Sequence, residues 1–133
     1  MKIINKKETS EFLGIPIEEI LYFYKFPNGD WKYEDKNRYL HLYRLINNEW
    51  IELTKNVEAV HTFSFNNEDW KYEDKEGFEH LFREINGEYV ELTKEVDAIC
   101  SNSCDNGDWD YLDFNHNLYV FNKNNELIRK FES

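Results

Sequence analysis

A chain of 133 residues has room for one domain with a real core, and 41% apolar and 17% aromatic content opposes disorder although 32% of residues are charged. A net charge of −11 opposes direct binding to nucleic acid or anionic lipid and favours a basic protein partner, while its plainer meaning is solubility. Residues 1–8 lack the apolar run of a signal peptide, and no stretch of about 18 apolar residues could span a bilayer, so the expectation is a cytoplasmic protein away from membranes.

In chain order, Thr9-Ser10-Glu11-Phe12-Leu13-Gly14 predicts a short helix with an N-cap, an apolar pair and a stop at Gly14, followed by a second turn over residues 16–20. This segment forms an N-terminal lead-in, residues 1–19. It superficially resembles the start of a helix-turn-helix, but one or two turns cannot build a DNA reader in such acidic surroundings.

The remainder is repetitive. Asp30-Trp31-Lys32-Tyr33-Glu34-Asp35-Lys36 recurs as Asp69-Trp70-Lys71-Tyr72-Glu73-Asp74-Lys75 and, more loosely, as Asp108-Trp109-Asp110-Tyr111-Leu112-Asp113-Phe114, with a spacing of 39 residues both times. Glu52-Leu53-Thr54-Lys55 recurs as Glu91-Leu92-Thr93-Lys94, and Asn47-Asn48-Glu49 matches Asn86-Gly87-Glu88 and Asn124-Asn125-Glu126. The chain therefore holds three copies of one unit, residues 20–58, 59–97 and 98–133, expected to form a single domain. In the first copy, alternation and β-forming residues predict four strands, at about residues 21–26, 31–36, 39–46 and 49–54. Asn28-Gly29, Asn86-Gly87 and Asn106-Gly107 read as two-residue hairpin turns, because Asn and Gly tolerate positive φ.

Three copies of a four-strand unit, with the strand–Asn-Gly–strand rhythm of Phe26-Pro27-Asn28-Gly29-Asp30-Trp31, resemble the β-trefoil family over residues 20–131. The resemblance implies an all-β, β-trefoil-like fold; the alternative is an open propeller-like β-meander, since three blades cannot close a ring. The Gln-x-Trp signature of trefoil lectins is absent, which speaks against sugar binding by that route.

Cys100 and Cys104, if on one strand, stand about 13 Å apart and cannot be bridged, so both read as free thiols. His41 and His80 occupy equivalent positions, but Tyr119 takes that place in the third copy, and His61 and His116 have no counterparts. No symmetric metal cluster follows; ordinary strand-surface histidines are expected, and no metal or cofactor. No nucleophile, phosphate-loop or acid–base signature is present, so the chain is read as non-enzymatic.

Two sets of residues remain as binding candidates. Trp31/Asp35, Trp70/Asp74 and Trp109/Asp113 repeat an aromatic and an acid on one strand face, which could form glycan sites by ring stacking; the plainer reading is a brace, with Trp in the core and Asp capping a loop amide. The second set rests on difference between copies: residues 59–97 carry eleven acids and four bases, against six and six in residues 20–58. Glu68, Asp69, Glu73, Glu76, Glu79, Glu84 and Glu88 are thus expected to face a basic partner such as a nuclease or another nucleic-acid-binding enzyme. The leading expectation is a small acidic inhibitor or immunity-type protein of antitoxin or phage anti-defence character, a nucleic-acid mimic working as a monomer or homodimer; the alternative is a glycan-binding module.

Overall fold

The computed structural model describes residues 2–133. Helix α1, Lys6–Leu13, is followed by a 3-10 turn at Ile17–Glu19 and by twelve strands. The strands are β1 (Tyr22–Lys25), β2 (Trp31–Glu34), β3 (Leu40–Ile46), β4 (Glu49–Glu52), β5 (His61–Ser64), β6 (Trp70–Glu73), β7 (Glu79–Ile85), β8 (Glu88–Glu91), β9 (Ala98–Ser103), β10 (Trp109–Asp113), β11 (Leu118–Phe121) and β12 (Leu127–Phe131). They form three open four-stranded sheets, β1-β2-β3-β4, β5-β6-β7-β8 and β9-β10-β11-β12, with neighbours consecutive in sequence. The all-β class, the three four-stranded repeats and the short N-terminal helix are as expected. The sheets are consistent with trefoil-like repeats, and the strand order within each is that of the meander. The chain divides into two compact units, residues 1–62 and 63–133, with the boundary inside β5.

The helix starts earlier than its sequence suggested. Asn5, ahead of the segment that begins at Thr9, is the N-cap: its side chain accepts from Glu8 N at 2.9 Å, while Glu8 Oε1 accepts from Ile4 N at 2.7 Å. These two bonds satisfy the amides of Glu8 and Ile4 at the start of the helix. Thr9 is instead buried inside the helix and donates to Asn5 O at 2.8 Å. Gly14 ends the helix as expected, at φ +70°.

Turn chemistry also differs from expectation in part. Asn47-Asn48 and Asn86-Gly87 have positive φ at both residues and are two-residue turns. Asn28-Gly29 and Asn106-Gly107 belong to three-residue loops closed by Phe26 N to Asp30 O at 2.7 Å and Cys104 N to Asp108 O at 2.8 Å, and only the glycine takes positive φ. Pro27, fixed near φ −65°, starts the first of these loops in a right-handed turn and transfers the left-handed step to Gly29.

Each repeat is built around the same cross-strand aromatic pairs. Trp31 lies flat on Tyr43 with centroids 4.4 Å apart, Trp70 on Phe82 at 4.4 Å and Trp109 on Phe121 at 4.2 Å. In the first unit, Ile3, Ile20, Trp31, Tyr33 and Tyr43 form a buried cluster, and Phe12 of α1 meets Trp31 edge-on at 6.2 Å. In the second unit, Phe65, Leu81, Ala98, Trp109 and Tyr111 form the corresponding cluster, in which the Trp109 face of β9–β12 covers Leu81 of β7. No helix among the described residues is long and apolar enough to cross a membrane.

Candidate functional site

The tryptophans that repeat on the second strand of each copy are buried, and the part-exposed aspartates that repeat with them are engaged in local hydrogen bonds. Trp31, Trp70 and Trp109 are 0%, 4% and 4% exposed, so their ring faces are taken up by neighbouring side chains and are not offered to a pyranose. Asp35, Asp74 and Asp113 brace the structure. Oδ1 of Asp35 accepts from the amides of Asn37 and Tyr39, that of Asp74 from Glu76 and Phe78, and that of Asp113 from Asn115 and Asn117, at 2.8–3.1 Å. Each aspartate therefore closes the turn that follows its strand, as the brace reading requires.

The second oxygen of each aspartate does something the sequence did not disclose. His41 bridges two carboxylates, with Nε2 2.7 Å from Asp35 Oδ2 and Nδ1 2.7 Å from Glu52 Oε2. His80 repeats the bridge between Asp74 and Glu91 at 2.8 Å on both sides. Thr54 and Thr93 complete the chain: each donates to its glutamate, at 3.1 and 3.2 Å, and accepts a strand amide at 3.0 Å. These histidines are half-buried ion-pair centres rather than ordinary strand-surface residues. Tyr33 and Tyr72 stack on their rings at 4.7 and 4.6 Å. Burial alone would lower the His41 pKa, but the hydrogen bonds and charges of Glu52 and Asp35 outweigh it and hold the pKa above the ordinary value; His80 behaves in the same way with Asp74 and Glu91. Burial, then the charges of Glu52 and Asp35, push the Tyr33 phenol up to about 12.

A second internal ionic motif underlies the acidic middle copy. Arg83 grips Asp69 through Nε at 3.1 Å and Nη2 at 2.7 Å, and Nη2 also donates to Gly107 O at 2.8 Å. Ser103 Oγ donates to Asp69 Oδ2 at 2.6 Å, and Asn67 Nδ2 reaches Ser103 Oγ and Cys104 O, both at 2.7 Å. The same fork joins Arg44 to Asp30 in the first unit, with Nη2 to Oδ2 at 2.8 Å. Lys71 Nζ lies 2.9 Å from Glu79 Oε1, which also accepts from Ser101 N at 2.6 Å and Ser101 Oγ at 2.9 Å.

These networks correct the list of surface acids. Asp69, 4% exposed, and Glu79 are committed to internal partners, because a carboxylate removed from water needs charge-assisted hydrogen bonds. The others divide between the two ends of the β5–β8 sheet. Glu73 and Glu76 belong to the β6–β7 end, with Glu73 half-buried and Glu76 exposed. Glu68, Glu84 and Glu88, all exposed, belong to the opposite end, where the β5–β6 and β7–β8 turns lie. There, Glu68 and Glu84 border a cavity of about 270 Å³ whose lining includes Asn67, Asp69, Arg83 and Gly107.

The glutamates, threonines and arginines of these networks carried a signal in sequence, since each recurs after 39 residues: Glu52/Glu91, Thr54/Thr93 and Arg44/Arg83. The third copy breaks the pattern with Tyr119, Asn122 and Asp110 in place of histidine, arginine and lysine. Cys100 and Cys104 are free, as expected, and both are exposed. Compared with known proteins, the sequence matches no family model and no curated protein.

Proposed function

We propose that this chain is a small, acidic, non-enzymatic binding protein that presents the Glu68–Glu84 end of its second unit to a basic protein. The observation that carries this reading is a division of labour among the acids. Asp69 and Glu79 are neutralised internally by Arg83 and Lys71, whereas Glu68 and Glu84 are exposed and line a concavity. Glu88, on the adjoining hairpin, extends the same negative end. Exposed carboxylates on a braced β-scaffold raise association rates with a positively charged surface and cost little reorganisation on binding.

In this reading the partner is a nuclease or another nucleic-acid-binding enzyme of the cytoplasm, and the chain occupies the basic groove that otherwise holds phosphates. It would then act as an inhibitor or immunity-type protein, of antitoxin or phage anti-defence character, through negative charge set at the mouth of a rigid site. The reading is tested on the captured complex by a salt series. Affinity that falls steeply between about 0.05 and 0.5 M salt is the expected result, because screening over a Debye length near 10 Å removes surface attraction. Affinity independent of salt would exclude the electrostatic mechanism.

A further inference from the structure

The outer face of the third sheet is built like an interior surface. In the second unit, Leu81 on β7, opposite Lys71 on β6, is 0% exposed because the Trp109 face of the next sheet covers it. Val120 on β11, opposite Asp110 on β10, is the matching position in the third sheet, and it is half-exposed. Cross-strand pairing places two rows of side chains on this face: Leu112, Leu118 and Phe131 in one, and Asp110, Val120 and Arg129 in the other. Directly opposed residues in an antiparallel pair share a face, so these six form one patch with an apolar row beside a row that reads acid, apolar, base.

Neither charged member is held by a hydrogen bond or a close ion pair. Asp110, half-buried, makes no hydrogen bond and no close ion pair among the described residues; its charged neighbour within the chain is Lys71, which is itself bonded to Glu79 and Ser101. Arg129 makes none either; its guanidinium lies 5.7 Å from the ring centroid of Phe131. They sit on opposite sides of β11, roughly 10 Å apart at two strand spacings, and so cannot pair within the chain.

We propose that this face binds a second copy of the chain, third sheet against third sheet, about a two-fold axis running along β11. Such an axis lays Val120 over Val120 and Leu118 over Leu118 of the other copy, brings β10 over β12, and so sets Asp110 against Arg129 twice and Leu112 against Phe131 twice. The charge order is complementary to itself under that operation, which is the condition for an isologous interface. Two sheets packed face to face with nearly aligned strands is also an established way to bury such surfaces. A head-to-tail arrangement, in which the patch would cover the Trp31 face of another copy, is blocked because Phe12 and the rest of the first cluster already enclose Trp31 at 0% exposure. The inference is independent of the acidic end at Glu68 and Glu84.

Sedimentation of the full chain over a concentration series, with Asp110→Arg, Arg129→Glu, the double variant and Val120→Asp, tests it. Wild type is expected to dimerise. Either single charge reversal should weaken the dimer by about tenfold or more, equivalent to about 1.4 kcal/mol, and the double reversal should restore it. Val120→Asp should be monomeric. Far-UV circular dichroism identifies any variant that has failed to fold, and the exposed Arg129 variant keeps the test decisive if the Val120 variant fails. A wild type that stays monomeric at millimolar concentration, a dimer indifferent to both charge reversals, or a double variant no better than the singles would overturn the proposal.

Discussion

Tyr119 donates its phenolic hydrogen to Asp113 Oδ2 across 3.2 Å, in the place where His41 and His80 meet Asp35 and Asp74. The three repeats thus solve one problem, holding a turn-closing aspartate, with two kinds of partner. Two of these partners are imidazoles whose pKa is held above the ordinary value, and the third is a phenol.

A pH dependence of known sign follows. The folded-state pKa values of His41 and His80 lie above their unfolded value, so their contribution is complete below about pH 6.5 and is lost as pH rises through the folded values. Asp35 and Asp74 are held below the ordinary carboxylate range: burial opposes this, but hydrogen bonds from histidine and from turn amides prevail. Asp113 is lowered chiefly by the Asn117 amide. The aspartate contribution is present above about pH 4 and fades as pH falls through the depressed values. The melting temperature should therefore be highest between about pH 4 and 6.5 and decline into the alkaline range. In the His41→Gln/His80→Gln variant the alkaline decline should flatten while the acid decline remains. Thermal unfolding from pH 3 to pH 9 checks both limbs.

Neighbouring acids should differ sharply when truncated. Asp69→Ala leaves the Arg83 guanidinium largely buried without its carboxylate and is expected to cost about 3–5 kcal/mol. Glu68→Ala, at an exposed position one residue earlier, should change stability by less than about 0.5 kcal/mol. Urea unfolding monitored by tryptophan fluorescence separates the two, and equal effects would contradict the division between internal and surface acids.

Two glycines offer a paired test of turn geometry. Gly29 has φ +98° with open space where a Cβ would stand, so Gly29→Ala should cost only the left-handed backbone, about 1–2 kcal/mol. Gly107 has φ +95°, but a Cβ there would lie 2.8 Å from Lys123 Cβ. Gly107→Ala should therefore be the more damaging, at about 2–3 kcal/mol, because a backbone-proximal contact has to give way as well. Denaturant midpoints of the two variants provide the comparison.

Much of the architecture was legible because the signals were local and repeated. Trp31, Trp70 and Trp109 at a 39-residue spacing disclose the number of units, and alternation around them discloses the strands. What escaped depends on long-range closure. Asp35, His41 and Glu52 come together only after two hairpins have folded, so nothing in the local surroundings of His41 marks it as an ion-pair centre. Asp69 and Glu68 look alike in a charge count, and only the Arg83 fork 14 positions away distinguishes them. Asn28-Gly29 reads like Asn86-Gly87, but it closes a three-residue loop, as Asn106-Gly107 does with Asp105 in the place of Pro27, so the dipeptide alone does not distinguish the two loops.

The most direct test of the binding account uses the chain as bait in a lysate of its source cell, as wild type and as Glu68→Lys/Glu84→Lys, at about 0.05 and 0.5 M salt. Wild type is expected to retain a basic nucleic-acid-binding protein at low salt and to release it at high salt, and the charge-reversed variant, equally folded, to retain none at either. Retention of the same protein by both forms, unaffected by salt, would contradict it.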